Sequence, residues 1–338
     1  MATTMEALMI RLSFPRTVLA AAFVAALGLG STVPAAAQDQ VNVRFSWKLK
    51  GEYGPLYYAQ EHGLFKNENL SVRMGEGAGA QAALGALIQG QEDVVILPGV
   101  FALSAIQKGI PVKLVALYHP ATPVLLISFP DKPARTPKDL EGMTVATSVG
   151  ETGTSYLDAF LKLNGVDPAK VKRAMMNAQA RVPAFIQRQV DVVSVYQTND
   201  WPMMQDSQQT KFVTMDMVKF GLKIPGLAAV TSDQDIAHRP DVIKRFLRAA
   251  AAGTAGSQKD IQGATEALIK NWPNPPSEHV VYEQVKATVE AIAVPAGHEI
   301  GWIDEKDIAD ALNLLHSVDE IDAPKPVDSY FTNALLTR

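Results

Sequence analysis

The sequence predicts an exported α/β protein built from two units. Residues 17–37 form an apolar run behind Arg11 and Arg16 and close on Ala35, Ala36 and Ala37. This order of a basic region, an apolar region and small residues is typical of a secretory signal peptide. Short β runs then alternate with helical stretches, which indicates a mainly parallel sheet. The roughly 300 mature residues exceed one typical domain, so two domains are expected.

The predicted signal peptide spans residues 1–37, with the mature protein beginning near Gln38. A transmembrane helix is a weaker interpretation because Gly28, Gly30 and Pro34 interrupt the run before it reaches the roughly 20 apolar residues that cross a bilayer. A buried N-terminal helix is the other alternative. We expect the mature protein in the periplasm, with secretion as the alternative.

Composition excludes several classes of protein. The chain has no cysteine, so it contains no disulfide, thiol nucleophile, cysteine-ligated metal or lipidated cysteine. The net charge of the whole chain is −4, and loss of the signal peptide would make it slightly more acidic. This charge argues against a nucleic-acid-binding surface.

The first unit starts directly after the signal peptide. Gly63, Gly90 and Gly109 each follow a helical pattern and predict its end. The expected elements are strand 41–47, helix 55–62, strand 71–74, helix 81–89, strand 94–97, helix 101–108 and strand 112–118.

The second unit repeats this order of elements. Gly165 predicts the end of its helix, and the prolines in 272–276 exclude a helix there. The expected elements of this unit are strands 124–129, 144–147 and 190–196 with helix 155–164. The segment that follows it is expected to form a strand from 228 and helices 240–252, 264–270, 278–293 and 305–315.

Loops after the strands are the candidate binding segments, because ligands of open α/β sheets lie beyond the carboxyl ends of the strands. Four such loops cover residues 47–54, 75–79, 147–154 and 196–201. Their glycines, hydroxyls and aromatic rings suit a ligand, but the same residues equally serve as turns, helix caps and core. The Gly-rich loop 75–79 lacks the spacing of a phosphate-binding loop.

No catalytic motif is found. The six histidines lack the spacing of a metal site, and the chain has no G-x-S-x-G sequence. An exported two-unit α/β chain without these motifs is better interpreted as a receptor than as a serine or metal hydrolase.

The stretch at 45–97 resembles the opening of solute-binding proteins of ABC importers. The branch concerned serves nitrate, taurine and alkanesulfonates, riboflavin and thiamine pyrimidine precursors. The sequence PLYYAQEHGLFK at 55–66 is similar to the first helix of this branch, and 137–146 with 156–171 resembles the start of its second lobe. The resemblance covers nearly the whole mature chain.

The resemblance implies a type II periplasmic-binding-protein clamshell, in which each lobe is a mixed, mainly parallel sheet flanked by helices. Lobe 1 would comprise residues 38–126 and 229–338, and lobe 2 residues 127–228. A monomer without enzymatic activity, cofactor or metal would capture a small molecule in the cleft. It would deliver this ligand to an ABC permease and its ATPase.

Carried over by position, the cleft loops are the four above together with Pro98 and Gly99. These loops contain no arginine, whereas members of the branch that bind simple anions are expected to have arginine there. A planar aromatic or heteroaromatic ligand, with or without a carboxylate, is therefore favoured. The expected ligand-binding residues are Trp47, Glu52, Tyr53, Glu76, Gly77, Ala78, Gly79, Pro98, Gly99, Tyr118, Thr147, Gly153, Thr154, Tyr196, Gln197, Asn199 and Trp201.

Three alternatives stay open. An alkanesulfonate or another oxyanion could be the ligand. The protein could resemble the enzymes of this branch that make the thiamine pyrimidine precursor, although these use histidine and cysteine and this chain lacks cysteine. It could also be a receptor that passes its liganded state to a signalling partner.

Overall fold

A computed structural model describes residues 37–207 and 210–336 of the chain. The predicted signal peptide, through residue 36, lies outside the described residues. Ten strands form two five-stranded sheets. The strands are β1 (Asp39–Phe45), β2 (Leu70–Gly75), β3 (Val94–Pro98), β4 (Val112–Leu117), β5 (Val124–Ser128), β6 (Thr144–Thr147), β7 (Lys172–Met175), β8 (Val192–Tyr196), β9 (Val213–Asp216) and β10 (Leu227–Ser232).

Each sheet is mixed and mainly parallel, as predicted. The first has the order β2-β1-β3-β10-β4, and β10 runs antiparallel to its neighbours. The second has the order β7-β6-β8-β5-β9, with β5 as the antiparallel strand. The two sheets therefore share one plan, which confirms the two-lobed fold class.

The chain passes from the first sheet to the second through residues 118–123 and returns through 217–226. Residues 124–126, which the predicted boundary assigns to lobe 1, belong to β5 and pair with β8 and β9 of the second sheet. The lobe boundaries themselves stay predictions. The two connections run side by side, since the Gly226 N–H donates to the His119 carbonyl at 2.9 Å and the Thr122 N–H donates to the Ile224 carbonyl at 2.8 Å.

Helices cover both sheets. They are α1 (Gly54–Glu61), α2 (Leu64–Asn67), α3 (Ala80–Ile88), α4 (Gly99–Gln107), α5 (Thr152–Ser155), α6 (Leu157–Leu163), α7 (Arg181–Ile186), α8 (Asp200–Ser207), α9 (Asp233–His238), α10 (Pro240–Lys259), α11 (Ile261–Lys270), α12 (Glu278–Glu290) and α13 (Glu305–Ser317).

Seven elements were not predicted from the sequence: strands β7 and β9 and helices α2, α5, α7, α8 and α9. Strand β7 is a short edge strand whose residues are mostly exposed, so it has no alternation of apolar and polar residues. Pro183 and Pro202 lie within the first turns of α7 and α8, where a proline is tolerated. In the sequence, however, each proline interrupts the pattern from which a helix is predicted.

The hydrophobic core is continuous between the two sheets. Tyr156, at the start of α6, packs edge-on against Phe101 of α4 with ring centroids 5.7 Å apart. The Tyr156 hydroxyl lies 3.1 Å from the Ser104 hydroxyl. These contacts hold the loops of the two lobes opposite each other.

Within residues 37–207 and 210–336, none of the helices combines the length and apolar character needed to cross a bilayer.

Candidate functional site

A cavity of about 580 Å³ lies between the two lobes. Most of its wall is apolar or aromatic, and its polar groups come from a few side chains of both lobes. The lining consists of Ser46, Trp47, Lys50, Ala80, Pro98, Phe101, Gly150, Glu151, Thr152, Ala178, Gln179, Arg181, Val182, Pro183, Tyr196, Asn199, Asp200, Met203, Met204, Asp206, Ser207, Pro276, Ser277 and Val280. This composition is typical of a small-molecule site.

The Gly-rich loop holds the wall that carries Trp47. The Gly77 and Gly79 N–H groups donate to the Trp47 and Ser46 carbonyls at 3.1 and 2.8 Å. A Cβ on Gly77 would lie 2.0 Å from the Phe45 carbonyl oxygen, so only glycine allows this approach. The Glu76 carboxylate accepts the Leu49 N–H at 2.7 Å. The loop thus orients the tryptophan through its backbone.

A buried ion pair connects the lobes beside the cavity. Lys50 Nζ lies 2.9 Å from Glu52 Oε2, and the Thr198 hydroxyl of the second lobe donates to Glu52 Oε1 at 2.8 Å. Burial alone would raise the pKa of Glu52, but Lys50 and His119 hold it below its ordinary value. Burial would lower the pKa of Lys50, but Glu52 and other neighbours hold it above its ordinary value. Both groups are therefore charged at neutral pH.

Gln284 of α12 forms a second connection between the lobes. Its Nε2 donates to the Asn199 carbonyl at 2.9 Å, and its Oε1 accepts the Gly51 N–H at 3.0 Å. The side chain is 1 % exposed. One buried amide therefore ties the loop after β8 to the loop before α1.

Glu151 organises the second lobe at the start of α5. Its carboxylate accepts the N–H groups of Gly153 and Thr154 at 2.9 and 2.7 Å and the hydroxyls of Thr154 and Ser194 at 2.8 and 2.9 Å. Arg181 Nη1 lies 3.7 Å from this carboxylate and donates to the Ser194 carbonyl at 2.7 Å. The buried guanidinium is thus held in place at the cavity wall.

Aromatic rings and a carboxyl group complete the site. The Tyr196 hydroxyl lies 2.5 Å from the Thr152 hydroxyl, and Lys50 Nζ lies 4.8 Å from the centre of the Tyr196 ring. Asp200 begins α8 and accepts the Tyr196 N–H at 3.3 Å. Burial raises the pKa of Asp200, even though Arg181 and Lys50 oppose this shift.

Four of the expected ligand-binding residues line the cavity: Trp47, Pro98, Tyr196 and Asn199. The others have different positions. Gln197 and Trp201 line a separate groove between α8 and α12. Tyr53 stacks on Phe45 in the first core with ring centroids 3.9 Å apart, and Tyr118 is also buried there.

The remaining expected residues lie behind the wall. Glu76, Gly77, Ala78 and Gly79 belong to the supporting loop, and Glu52 to the interlobe ion pair. Gly99 packs against Pro225 and Ala228, and Thr147 is fully buried. Gly153 packs closely on Ser194, while the Thr154 hydroxyl is bonded to Glu151 and accepts the Ser148 N–H. Their contact with a ligand stays a prediction.

The cavity wall also contains residues that were not predicted from the sequence, among them Phe101, Glu151, Arg181, Asp200 and Met204. Arg181 is the most important of these residues for the choice of ligand, because the cleft was expected to contain no arginine. That expectation considered only the predicted cleft loops, and none of them includes α7. Arg181 follows the unpredicted strand β7 by six residues. Recognition of that edge strand would have placed Arg181 at a carboxyl-end loop.

Among the described residues, no cluster of three or more histidine, aspartate or glutamate side chains is arranged to hold a metal ion.

Comparisons with known proteins agree with this architecture. The family model described as NMT1/THI5 like matches residues 50–261, well over half of the chain. The chain is 24 % identical over 243 residues to a 4-amino-5-hydroxymethyl-2-methylpyrimidine phosphate synthase of Legionella pneumophila, covering 70 % of this chain and 75 % of that protein. It is 22 % identical over 305 residues to riboflavin-binding protein RibY of Chloroflexus aurantiacus, covering 87 % and 85 %.

The structural comparison supports the fold. The alkanesulfonate-binding protein SsuA of Xanthomonas axonopodis pv. citri, solved with bound MOPS, superposes with a TM-score of 0.66 at 15 % identity. The match covers 90 % of this chain and 100 % of that structure. The described residues therefore have the fold of periplasmic binding proteins of ABC importers.

Proposed function

Because the chain belongs to the NMT1/THI5-like family, we propose that it is the periplasmic substrate-binding component of an ABC importer. Its ligand is a small, planar organic molecule, aromatic or heteroaromatic, that binds between the lobes. The liganded protein then docks as a monomer on a permease and its ATPase at the inner membrane. The predicted signal peptide would supply the export that this role needs.

The observation that carries this proposal is the wall of the interlobe cavity. Trp47, Phe101 and Tyr196 provide aromatic faces, and Met203 with Met204 provides adaptable apolar contacts. The two cations of the wall are held by carboxylates of the protein, Lys50 by Glu52 and Arg181 by Glu151. Such a wall suits a ring system with polar groups at its edge.

The volume of the cavity supports an organic ligand over a small inorganic anion. Sites for drug-sized molecules have volumes of about 300–1,000 Å³, and this one is about 580 Å³. A nitrate-sized ion would leave most of the apolar wall without contact. RibY, one of the relatives, is named for binding riboflavin, which is a planar heteroaromatic compound.

A second candidate is an enzyme related to the Legionella synthase, which the sequence match favours. An enzyme would convert its ligand, whereas a binding component returns it unchanged. Mass spectrometry of the bound compound after prolonged incubation separates the two. Conversion of the bound compound to a product of different mass would favour the enzyme, and recovery of the unchanged compound would favour the binding component.

A thermal-shift screen of the purified protein tests the proposal. The panel contains riboflavin, aminopyrimidines, aromatic carboxylates, alkanesulfonates and nitrate. A compound present at 100 times its Kd stabilises the folded state by about 2.7 kcal/mol. We expect this stabilisation with at least one planar organic compound. Stabilisation by nitrate or an alkanesulfonate alone would contradict the proposed ligand class.

A further inference from the structure

The charged groups at the inner end of the cavity do not balance. Lys50 is paired with Glu52 at 2.9 Å, and Arg181 lies 3.7 Å from Glu151. Asp200 is the third carboxyl group at this end, and no described lysine, arginine or histidine nitrogen forms a salt bridge with it within 4.0 Å. When Asp200 is ionised, these five groups together carry one negative charge in excess.

Asp200 is weakly satisfied by the protein. Its one hydrogen bond to the described residues comes from the Tyr196 N–H at the long distance of 3.3 Å. Glu151, by contrast, accepts four hydrogen bonds of 2.7–2.9 Å. Burial raises the pKa of Asp200; Arg181, Lys50 and the Tyr196 N–H oppose this, and Glu151 adds to it. The half-buried Asp200 carboxyl group therefore has fewer hydrogen-bond donors from the protein than the buried Glu151 carboxylate has.

Other groups at this end also favour a ligand that donates hydrogen bonds. Asn199, which is 3 % exposed and lines the cavity, has an Oδ1 atom without a hydrogen-bond partner among the described residues. Asp206 adds a further carboxylate at the exposed end of the cavity. An anionic ligand would add to the excess negative charge, whereas a protonated base would remove it.

We propose that Asp200 determines the specificity of the site, and that the ligand is a planar nitrogen base. A ring or amino N–H of this base donates to the Asp200 carboxylate while the ring lies against Trp47 and Tyr196. This inference rests on the proposed function and narrows its ligand class. It assigns to this protein a ligand chemistry opposite to that of a sulfonate or an aromatic carboxylate.

Titration calorimetry with two probes of similar size tests the proposal. Aminoquinaldine is a planar bicyclic base, and naphthoate is a planar bicyclic carboxylate. We expect the wild-type protein to bind the base more tightly. Asp200→Asn keeps the shape of the side chain and should weaken binding of the base by roughly 10- to 100-fold, because a charge-assisted hydrogen bond is lost. Asp241→Asn, the same change in the exposed first turn of α10, should leave the affinity unchanged.

The outcomes separate this inference from the proposed function. Equal or tighter binding of naphthoate by the wild type overturns the inference and leaves an aromatic-ligand receptor standing. So does an Asp200→Asn protein that binds the base as well as the Asp241→Asn control. If neither probe nor any aromatic compound of the thermal-shift panel binds, the proposed function fails too. The wild-type comparison decides the matter even if Asp200→Asn does not fold.

Discussion

Replacement of Glu52 by glutamine tests whether the buried ion pair stabilises the junction of the lobes. The Lys50 and Glu52 side chains are only 16 % and 5 % exposed and lie 2.9 Å apart. Glutamine can still accept the Thr198 hydroxyl through its Oε1 atom, so the variant removes the charge and little else. Lys50 then remains buried without its partner. Loss of one hydrogen bond between charged groups costs about 1.5–3 kcal/mol, and an unpaired buried charge can cost more.

We therefore expect Glu52→Gln to lower the free energy of unfolding by about 2–3 kcal/mol, measured by urea denaturation followed by far-UV circular dichroism. The matched control is Asp131→Asn, which breaks the Arg188–Asp131 pair. That pair has a similar distance of 2.8 Å, but its side chains are 57 % and 64 % exposed. The control should lose less than about 1 kcal/mol. Equal losses in the two variants would refute the argument from burial.

The pH dependence of this difference follows from the two pKa shifts. The pKa of Glu52 is lowered from 4.5, so its stabilisation is present above this value and is lost as the pH falls through the lowered pKa. The pKa of Lys50 is raised from 10.5, so its stabilisation persists up to this value and is lost at higher pH. The loss caused by Glu52→Gln should be constant between about pH 7 and 9 and should shrink in acid below about pH 4.

Three further predictions concern the cavity and its support. Trp47→Ala should weaken binding of the tightest thermal-shift ligand by about 1–3 kcal/mol in calorimetry while the unfolding midpoint stays the same; an unfolded variant would instead make Trp47 a core residue. Small-angle scattering should give a smaller radius of gyration with that ligand than without it, and an unchanged radius at saturation would exclude lobe closure. Gly77→Ala should lower stability by roughly 1–3 kcal/mol because its Cβ would meet the Phe45 carbonyl, whereas Gly85→Ala, which has open space, should raise it by about 0.5–1 kcal/mol. Similar effects of the two glycine substitutions would contradict this reasoning.

Local patterns were sufficient to predict most of the secondary structure. The predicted strand 94–97 and helix 240–252 begin at the same residues as β3 and α10, because buried strands and amphipathic helices have strong periodicity. Edge strand β7 lacks such a pattern and was missed. The two-lobed fold followed from the order of elements together with the family resemblance.

The sequence by itself determined which loops follow the strands, and hence that Trp47 and Tyr196 would lie at the cleft. Only the tertiary structure decided which side chains of those loops face the cavity. Tyr53 lies six residues after Trp47, yet it stacks in the core. Arg181, Glu151 and Asp200 lie close together because they follow the carboxyl ends of β7, β6 and β8, which are neighbouring strands of the second sheet. The balance of charge in the cavity depends on these distances between segments, which spacing along the chain does not specify.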